Sequence, residues 1–286
     1  MARKASTSKA SAPRPQPVRV GSVQIGQKPL VLILGPCVME SPQFTRRMAQ
    51  NIQKIVEPLG LPWIFKASYD KANRSSVKSF RGPGVREGGI LLQTIRRELG
   101  VPVTTDVHNP EEAKIAGEHV DLLQIPAFLC RQTDLLVAAA QTGRSVNVKK
   151  GQFMSPWEIG NILGKLEANG CTEHMITERG TTFGYQNLVA DMRSIVWMKE
   201  AGARAVVFDA THSVQRPGGG GDHTSGDGYL APILARAAVA AGCDAVFLET
   251  HEQPSKALSD GPNQVPLKNL EKVLRDLRDI RKVITS

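Results

Sequence analysis

The sequence predicts one α/β domain folded as a (β/α)8 barrel. A short apolar run, a few polar residues and an amphipathic segment follow one another eight times along the chain. Such a barrel usually takes about 250 residues, so a chain of 286 residues has room for one barrel and a short extension. A doubly wound open sheet is the alternative, but no Gly-x-Gly-x-x-Gly follows the first apolar run.

The eight predicted strands are rich in apolar residues and end in polar ones. They are residues 31–37, 62–68, 101–108, 121–126, 145–149, 174–179, 204–209 and 244–251. Helix-like segments lie between them, among them residues 45–59, 135–141, 156–168 and 229–241. This alternation favours a parallel sheet with outer helices, and eight such strands close into a TIM barrel.

The N-terminal residues differ from the rest in composition. Only cations precede the first acid, Glu40, and residues 1–17 are rich in Ala, Ser and Pro. Such a segment buries too little apolar surface to order, so we predict a disordered basic tail at 1–17 and a single barrel at 18–286. Without interleaved aromatic residues, the tail is predicted to be a solubilising extension rather than a nucleic-acid arm. Gly21 and Gly26 predict a small hairpin that closes the bottom of the barrel.

The overall composition, 41% hydrophobic and 22% charged, is typical of a soluble globular protein. No run approaches the roughly 18 apolar residues of a membrane helix, and the N-terminus lacks the apolar core of a secretory signal. The four cysteines, Cys37, Cys130, Cys171 and Cys243, form no CxxC pair, which predicts reduced thiols and a cytoplasmic protein. The net charge of +9 suits anionic substrates.

Polar residues gather at the predicted strand ends. They are Cys37, Lys66, Ser68, Asp106, His108, Gln124, Lys149, Lys150, Arg179, Asp209, Glu249 and His251. Residues two apart on a strand share a face, so Lys66 with Ser68, Asp106 with His108, and Glu249 with His251 are expected to point inward. Any one could be an ordinary buried polar residue. So many together favour an active site at the C-terminal mouth, because unpaired buried charges are costly.

Cations dominate this predicted mouth. Lys66, Lys71, Arg74, Lys149, Lys150 and Arg179 would converge there with few acids to neutralise them. Unpaired cations in a cleft predict a receptor for phosphate and carboxylate groups, and a solvated basic rim is the alternative. The loop 215–222 carries four successive glycines, which allow either a lid over the mouth or a tolerant surface loop.

A possible metal set consists of Cys37, His212, Glu249 and Asp260. A thiolate, an imidazole and two carboxylates suit a divalent ion such as zinc, iron or manganese. The four residues belong to different strands or loops, so their spacing does not test the idea. On chemistry alone, a buried and inert Cys37 is the favoured interpretation.

Several longer segments carry a family resemblance. They are Lys66-Ala-Ser-Tyr-Asp-Lys-Ala-Asn-Arg-Ser-Ser76, Ser79-Phe-Arg-Gly-Pro-Gly84, Gln124-Ile-Pro-Ala-Phe-Leu-Cys-Arg-Gln-Thr-Asp134, Asn147-Val-Lys-Lys-Gly-Gln-Phe153, Thr177-Glu-Arg-Gly-Thr-Thr-Phe-Gly-Tyr185 and Asp209-Ala-Thr-His-Ser-Val214. Together they resemble the 3-deoxy-D-manno-octulosonate-8-phosphate synthases, also called 2-dehydro-3-deoxyphosphooctonate aldolases. The resemblance runs from about residue 18 to the C-terminus.

The resemblance implies a reaction. Phosphoenolpyruvate, D-arabinose 5-phosphate and water would give an eight-carbon keto-acid phosphate and inorganic phosphate, in lipopolysaccharide synthesis. C3 of phosphoenolpyruvate would add to the sugar aldehyde, water would add at C2, and phosphate would leave by C–O cleavage. The family also implies a homotetramer with small-molecule substrates and neither a nucleic-acid nor a membrane partner.

The resemblance also implies roles for residues of this sequence. Phosphoenolpyruvate would be held by Lys66, Ser68, Lys149 and Arg179. The sugar phosphate would be gripped by Asn73, Arg74 and Ser75, with Arg74 reaching across a subunit boundary. Lys71 would lie between the substrates, and His108 and Gln124 would line the same cavity. The catalytic group would be Lys71, His212, Cys37 and Asp260, and the metal ligands would be Cys37, His212, Glu249 and Asp260.

Three alternatives remain at the level of sequence. A sister enzyme uses erythrose 4-phosphate to make a seven-carbon product, and we expect it to read Lys-Pro-Arg-Thr where this chain has residues 71–76. A non-enzymatic phosphate-binding or nucleic-acid-binding protein could use the same positive charge, but it would not need the four possible metal ligands. Within the family, metal-independent members carry Asn in place of Cys37, so this chain resembles the metal-dependent branch.

Overall fold

The computed structural model describes residues 17–73, 76–219 and 225–286, which contain a closed (β/α)8 barrel. Its eight parallel strands are β3 (Val31–Gly35), β4 (Trp63–Lys66), β5 (Val103–Asp106), β6 (Leu122–Ile125), β7 (Ser145–Lys149), β8 (His174–Glu178), β11 (Val206–Asp209) and β14 (Ala245–His251). They pair in chain order, and β14 pairs with both β11 and β3 to close the barrel. The predicted fold class is confirmed, and each observed strand lies within its predicted run.

Eight helices surround the strands among the described residues. They are α1 (Pro42–Val56), α2 (Val85–Leu99), α3 (Pro110–Gly117), α4 (Thr133–Ala140), α5 (Ile159–Glu167), α6 (Arg193–Glu200), α7 (Ala231–Ala240) and α8 (Leu267–Thr285). Local signals set where some begin. The Ser41 hydroxyl accepts the Phe44 N–H, and Pro42 occupies the first turn of α1. Asn109 caps α3 in the same way.

The predicted hairpin is present at the bottom of the barrel. It consists of β1 (Val18–Val20) and β2 (Val23–Ile25), paired antiparallel around a turn in which Gly21 has φ +54°. Glycine suits that turn because a positive φ is costly for other residues. The apolar side chains of the hairpin pack against the inward-facing apolar residues of the barrel strands, including Ile33 and Phe247.

The remaining strands form short ladders near the mouth. β9 (Thr181–Thr182) pairs with β10 (Leu188–Val189), and β12 (Gln215–Arg216) pairs with β13 (Ser225–Gly226). β15 (Val265–Pro266) pairs in parallel with the end of β14. A larger core cluster of apolar residues lies between the strands and the helices. The strands are therefore buried on both faces, as expected for a parallel sheet covered by helices.

Three sequence predictions concern the surroundings of the barrel. The predicted tail at 1–17 lies almost entirely outside the described residues, which begin at Pro17. All four cysteines are free. Among the described helices, none combines the length and the apolar character that a membrane span requires.

Candidate active site at the barrel mouth

The C-terminal ends of the strands surround a cavity of about 410 Å³. Its lining includes Lys71, Asn73, Asp106, His108, Phe128, Lys149, Gln152, Arg179, His212, Gln215 and Asp260. A larger cavity of about 1190 Å³ lies on the outer side of the loop that carries Asp260, against α7 and α8. We place the candidate site in the smaller cavity, because only that one combines charged side chains from several strand ends.

A chain of hydrogen bonds crosses the barrel below the cavity. Thr177 Oγ1 donates to Asn147 Oδ1 at 2.7 Å, and Asn147 Nδ2 donates to Gln124 Oε1 at 3.0 Å. Gln124 Nε2 then donates to Asp106 Oδ1 at 2.7 Å, and Ser68 Oγ donates to Asp106 Oδ2 at 2.5 Å. All five residues are buried. Gln124 and Ser68 therefore lie one layer beneath the cavity, where their hydrogen bonds fix Asp106.

The expectation that few acids neutralise the cations is wrong. Lys66 Nζ lies 2.6 Å from Glu249 Oε1, and Lys149 Nζ lies 2.5 Å from Asp209 Oδ2. Lys71 Nζ lies 3.9 Å from Asp106 Oδ2 and 4.0 Å from Glu249 Oε1. The barrel brings strands far apart in sequence together, and the carboxylates reach the mouth on those strands.

The lysines control the charge state of these carboxylates. Burial alone would raise the pKa of Glu249, but Lys66, His212 and Lys71 outweigh it and bring the pKa to about 2. Asp106 follows the same pattern, since Lys66 and Lys71 hold its pKa well below the usual range despite burial. Glu249 and Asp106 are therefore ionised carboxylates at neutral pH. The mouth is a network of paired lysines and carboxylates rather than a set of unpaired cations.

Two residues predicted at the mouth point elsewhere. Lys150 Nζ donates to the carbonyl oxygens of Gly151 and Met154 at 3.3 and 3.2 Å, outside the cavity, because adjacent strand residues face opposite sides. The His251 ring packs against Phe44 of α1, with Nε2 3.2 Å from Glu40 Oε1. The predictions that Lys150 joins the cationic set and that His251 faces inward with Glu249 are both wrong.

Arg179 differs from the lysines in having no acidic partner. Its side chain is buried, and no carboxylate oxygen of the described residues lies within 4.0 Å of the guanidinium. Nη2 donates to Gln215 Oε1 at 2.5 Å, and Nη1 has no hydrogen-bond partner in the described part of the chain. Burial lowers the pKa of Arg179, but arginine keeps its charge at any physiological pH. A full positive charge thus remains available to an anionic ligand.

The possible metal ligands lie together at one side of the mouth. One ligand atom from each of Cys37, Glu249 and Asp260 lies within 4.8 Å of the others. Cys37 Sγ is 3.5 Å from Asp260 Oδ2. His212 stands beside this group rather than inside it, with Nε2 3.7 Å from Glu249 Oε2. Asp260 has φ +48°, a strained conformation for a residue other than glycine, and such strain often marks functional positions.

The residues present fit a divalent ion. Glu249 Oε2 is buried and has no hydrogen-bond partner among the described residues, which is costly unless a cation is bound beside it. Asp209 Oδ2 lies 2.7 Å from His212 Nδ1, which leaves Nε2 free to coordinate, as in the carboxylate–histidine pairs of many metal sites. Burial raises the pKa of the Cys37 thiol, and a bound cation would oppose this by stabilising the thiolate.

The predicted sugar side of the cavity is partly described. His108 Nδ1 lies 2.8 Å from Glu112 Oε2, which also accepts the Tyr69 hydroxyl at 2.7 Å. The His108 ring meets Tyr69 edge-on, with 5.9 Å between ring centroids. Asn73 lines the cavity, whereas Arg74 and Ser75 lie outside the described residues. His108 is thus held in place by contacts that leave it at the cavity wall.

Comparison with known proteins identifies the family. The family model for the DAHP synthetase I family matches residues 6–286. The chain belongs to the DAHP synthetase I family.

Three similar relatives are each named 2-dehydro-3-deoxyphosphooctonate aldolase. The one from Geobacter metallireducens is 54% identical over 268 residues, covering 93% of this chain and 98% of the relative. The one from Synechococcus sp. is 54% identical over 256 residues, covering 90% of each. The one from Acidithiobacillus ferrooxidans is 53% identical over 258 residues, covering 90% and 92%.

These matches confirm the resemblance inferred from the sequence motifs. The name of the DAHP synthetase I family does not by itself separate the two sister reactions. The names of the relatives separate these two reactions, because all three relatives are named 2-dehydro-3-deoxyphosphooctonate aldolase and are at least 53% identical to this chain.

Sequence reasoning missed three residues of the cavity wall. Gln152 has a buried Oε1 without a hydrogen-bond partner among the described residues, Gln215 accepts from Arg179, and the Phe128 ring is more than half exposed. Gln152 belongs to a loop, Gln215 begins the two-residue strand β12, and Phe128 belongs to a short turn after β6. No periodicity marks such positions, and only the family motifs, which include Phe128 and Gln152, could have pointed to them.

Proposed function

We propose that this protein condenses phosphoenolpyruvate with D-arabinose 5-phosphate and water, giving 3-deoxy-D-manno-octulosonate 8-phosphate and phosphate for lipopolysaccharide synthesis. The observation that carries the proposal is the mouth itself. Arg179 is a buried cation without an acidic partner among the described residues, and it lines the same cavity as His212 and Asp260, beside which Cys37 and Glu249 lie. The octonate aldolase names of the relatives support this reaction over the heptulosonate one.

Phosphoenolpyruvate would occupy the side of the mouth formed by β4, β7 and β8. Lys66, Ser68, Lys149 and Arg179 are the residues we assign to it. Ser68 would act from beneath the cavity by holding Asp106, and Arg179 would give the bidentate contact that guanidinium groups make to phosphate. Lys66 and Lys149 are already paired with Glu249 and Asp209. The two lysines would therefore offer the substrate a positive charge that a carboxylate already partly neutralises, whereas Arg179 would offer its full positive charge.

The sugar phosphate would occupy the opposite side. We assign Asn73, Arg74 and Ser75 to it, with Arg74 contributed across a subunit boundary in a homotetramer. His108 would line this side, and Gln124 would act from beneath by holding Asp106. Lys71 would lie between the substrates, where its ammonium group, near Asp106 and Glu249, could stabilise negative charge that develops at the reacting carbons.

A divalent ion, either zinc, iron or manganese, would be held by Cys37, His212, Glu249 and Asp260. When bound, it would polarise the sugar aldehyde or orient the attacking water, which a site with an open coordination position can do. Asp209 would keep the proton of His212 on Nδ1, so that Nε2 presents its lone pair to the mouth. Cys37, His212, Asp260 and Lys71 form the catalytic group in this proposal.

The remaining proposals follow from the reaction. Both substrates are small and anionic, so neither a nucleic-acid nor a membrane partner is required. A cytoplasmic location agrees with the four free cysteines. The basic residues before residue 17 would serve as a solubilising extension.

Phosphate release provides the decisive test. The purified protein is incubated with phosphoenolpyruvate and either arabinose 5-phosphate or erythrose 4-phosphate, with a control that lacks any sugar. We expect phosphate release with the five-carbon sugar and much slower release with the four-carbon sugar. Faster release with erythrose 4-phosphate would assign the chain to the sister reaction, and no release with either sugar would favour a binding protein.

A further inference from the structure

Gln215 lies at the start of the β12–β13 ladder, and its side chain reaches the guanidinium of Arg179. The hydrogen bond from Arg179 Nη2 to Gln215 Oε1 is 2.5 Å long, and both residues line the mouth cavity. None of the roles proposed above involves Gln215.

The partner of Arg179 is neutral, unlike the partners of the neighbouring cations. Lys66 and Lys149 each contact a carboxylate oxygen at 2.6 Å or less. The Arg179 guanidinium is at least as buried as Lys149, yet the group that holds it in the described structure is an amide oxygen. A carboxylate would fix the guanidinium equally well but would cancel its charge. An amide oxygen fixes the orientation and leaves the charge for a ligand.

The position of Gln215 is set by the backbone around it. Gln215 pairs with Gly226 in the β12–β13 ladder, and the Asp227 N–H donates to the Val214 carbonyl at 2.9 Å. A Cβ atom at Gly226 would come within 1.8 Å of Asn263 Oδ1, so the close approach of this strand requires glycine. The amide oxygen is therefore presented from a fixed backbone, as preorganised binding requires.

We propose that Gln215 is a positioning residue for phosphoenolpyruvate, orienting the Arg179 guanidinium through a neutral hydrogen bond that leaves its charge uncompensated. This inference rests on the proposed function, because it takes phosphoenolpyruvate as the ligand of Arg179. It adds a specific requirement, namely that the partner of Arg179 must both accept a hydrogen bond and carry no charge.

Two variants separate this requirement from a purely structural role. Gln215→Glu keeps an acceptor but adds a charge, and Gln215→Met removes the acceptor without adding one. We expect the KM for phosphoenolpyruvate to rise about 10- to 100-fold in Gln215→Glu, the range of a lost charge-assisted contact, and less in Gln215→Met. The KM for arabinose 5-phosphate should stay unchanged in both. A structural role predicts the reverse ranking, because only Glu retains the hydrogen bond to Arg179.

Gln186→Glu is the matched control. Gln186 is exposed between β9 and β10, and its Nε2 donates to the carbonyl of Gly218, which follows β12, at 3.3 Å, so this variant adds an equal charge without touching Arg179. We expect its KM for phosphoenolpyruvate to equal that of the wild type. An equal rise in this control, or a wild-type KM in Gln215→Glu, would overturn the proposal.

Failure of the proposed function gives a different result from failure of this inference. If the wild type releases no phosphate with arabinose 5-phosphate, the function is wrong before any variant is made. If Gln215→Glu fails to fold, Gln215→Met tests the positioning part of the proposal on its own. A raised KM for phosphoenolpyruvate only would support the positioning role, whereas unchanged or equally raised KM values for the two substrates would contradict it.

Discussion

Buried charged side chains have different partners at the two ends of the barrel. At the bottom, they form hydrogen bonds with backbone groups and with each other. Asp244 Oδ2 accepts the Val206 N–H at 2.8 Å, while its Oδ1 accepts from Lys199 Nζ at 2.9 Å. Asp121 repeats the arrangement just before β6, where it accepts the Val103 N–H and a hydrogen bond from the guanidinium of Arg96. Every charge described in these two clusters is matched locally.

Arg281 of α8 extends this pattern. Its guanidinium donates to the carbonyl oxygens of Gln27, Lys28 and Cys243 at 2.8, 2.9 and 3.1 Å. One side chain thus joins the last helix to the segment after the hairpin and to the residues before β14. This one residue satisfies three carbonyls that lie outside the described helices and strands.

At the mouth, by contrast, two buried atoms of charged side chains lack a hydrogen-bond partner in the described part of the chain. Glu249 Oε2 and Arg179 Nη1 are buried and have no hydrogen-bond partner among the described residues. Buried polar atoms without partners reduce stability, and a protein retains them where they serve a ligand. The comparison therefore indicates that the charged residues at the bottom stabilise the fold, whereas those at the mouth are arranged to bind a ligand.

The largest effect on rate is expected from His212→Ala. Loss of this proposed metal ligand should lower both metal occupancy and kcat by more than the roughly 10- to 100-fold typical of residues that only orient a ligand. Asp209→Asn, which weakens such an orienting contact by removing the charge of the carboxylate, should show a smaller loss. Steady-state kinetics and elemental analysis measure both. Equal activity of His212→Ala and the wild type would place the chemistry elsewhere.

The largest effect on stability is expected from Arg281→Met at the bottom. The variant leaves three carbonyls without their charged donor, and we expect the free energy of unfolding to fall by about 3 kcal/mol with kcat unchanged. Arg275→Met on the same helix is the control, since Arg275 forms an exposed pair with Glu271 whose loss should cost about 0.5 kcal/mol or less. Denaturant unfolding measures both. A similar small cost for the two variants would contradict the structural role of Arg281.

Arg179→Ala and Arg74→Ala should divide the mouth into two anion pockets. We expect Arg179→Ala to weaken phosphoenolpyruvate about 10- to 100-fold, and Arg74→Ala to weaken arabinose 5-phosphate by a similar factor. Each variant should leave the other substrate nearly unaffected. KM values for both substrates provide the measurement, and equal losses of both substrates in both variants would show that the pockets are not separate.

The smallest effect is expected from deleting residues 1–16. These residues precede the hairpin in the sequence and lie outside the described residues. The truncated protein should match the full chain in kcat and in thermal midpoint. A large loss of turnover would show that the segment contributes to the folded enzyme.

The sequence predicted the barrel well because its signals are local. Residues 145–149 form β7 as predicted, since alternating apolar residues define a strand without reference to the rest of the chain. Pairings across the barrel could not be predicted in this way. Lys66 and Glu249 are 183 positions apart, so their contact depends on barrel closure. The hydrogen bond between Arg179 and Gln215 was also missed, because a two-residue strand such as β12 is too short to show a periodic pattern.

Metal analysis of the purified wild type, before and after prolonged chelation, tests the account of the mouth most directly. We expect a bound divalent ion, loss of activity on chelation, and recovery when a divalent ion is added. Cys37→Asn should bind metal poorly yet retain measurable turnover that resists the chelator, because the substrate-binding cations are untouched. A wild type that contains no divalent ion and keeps full activity through chelation would contradict the assignment of Cys37, His212, Glu249 and Asp260 as a metal site.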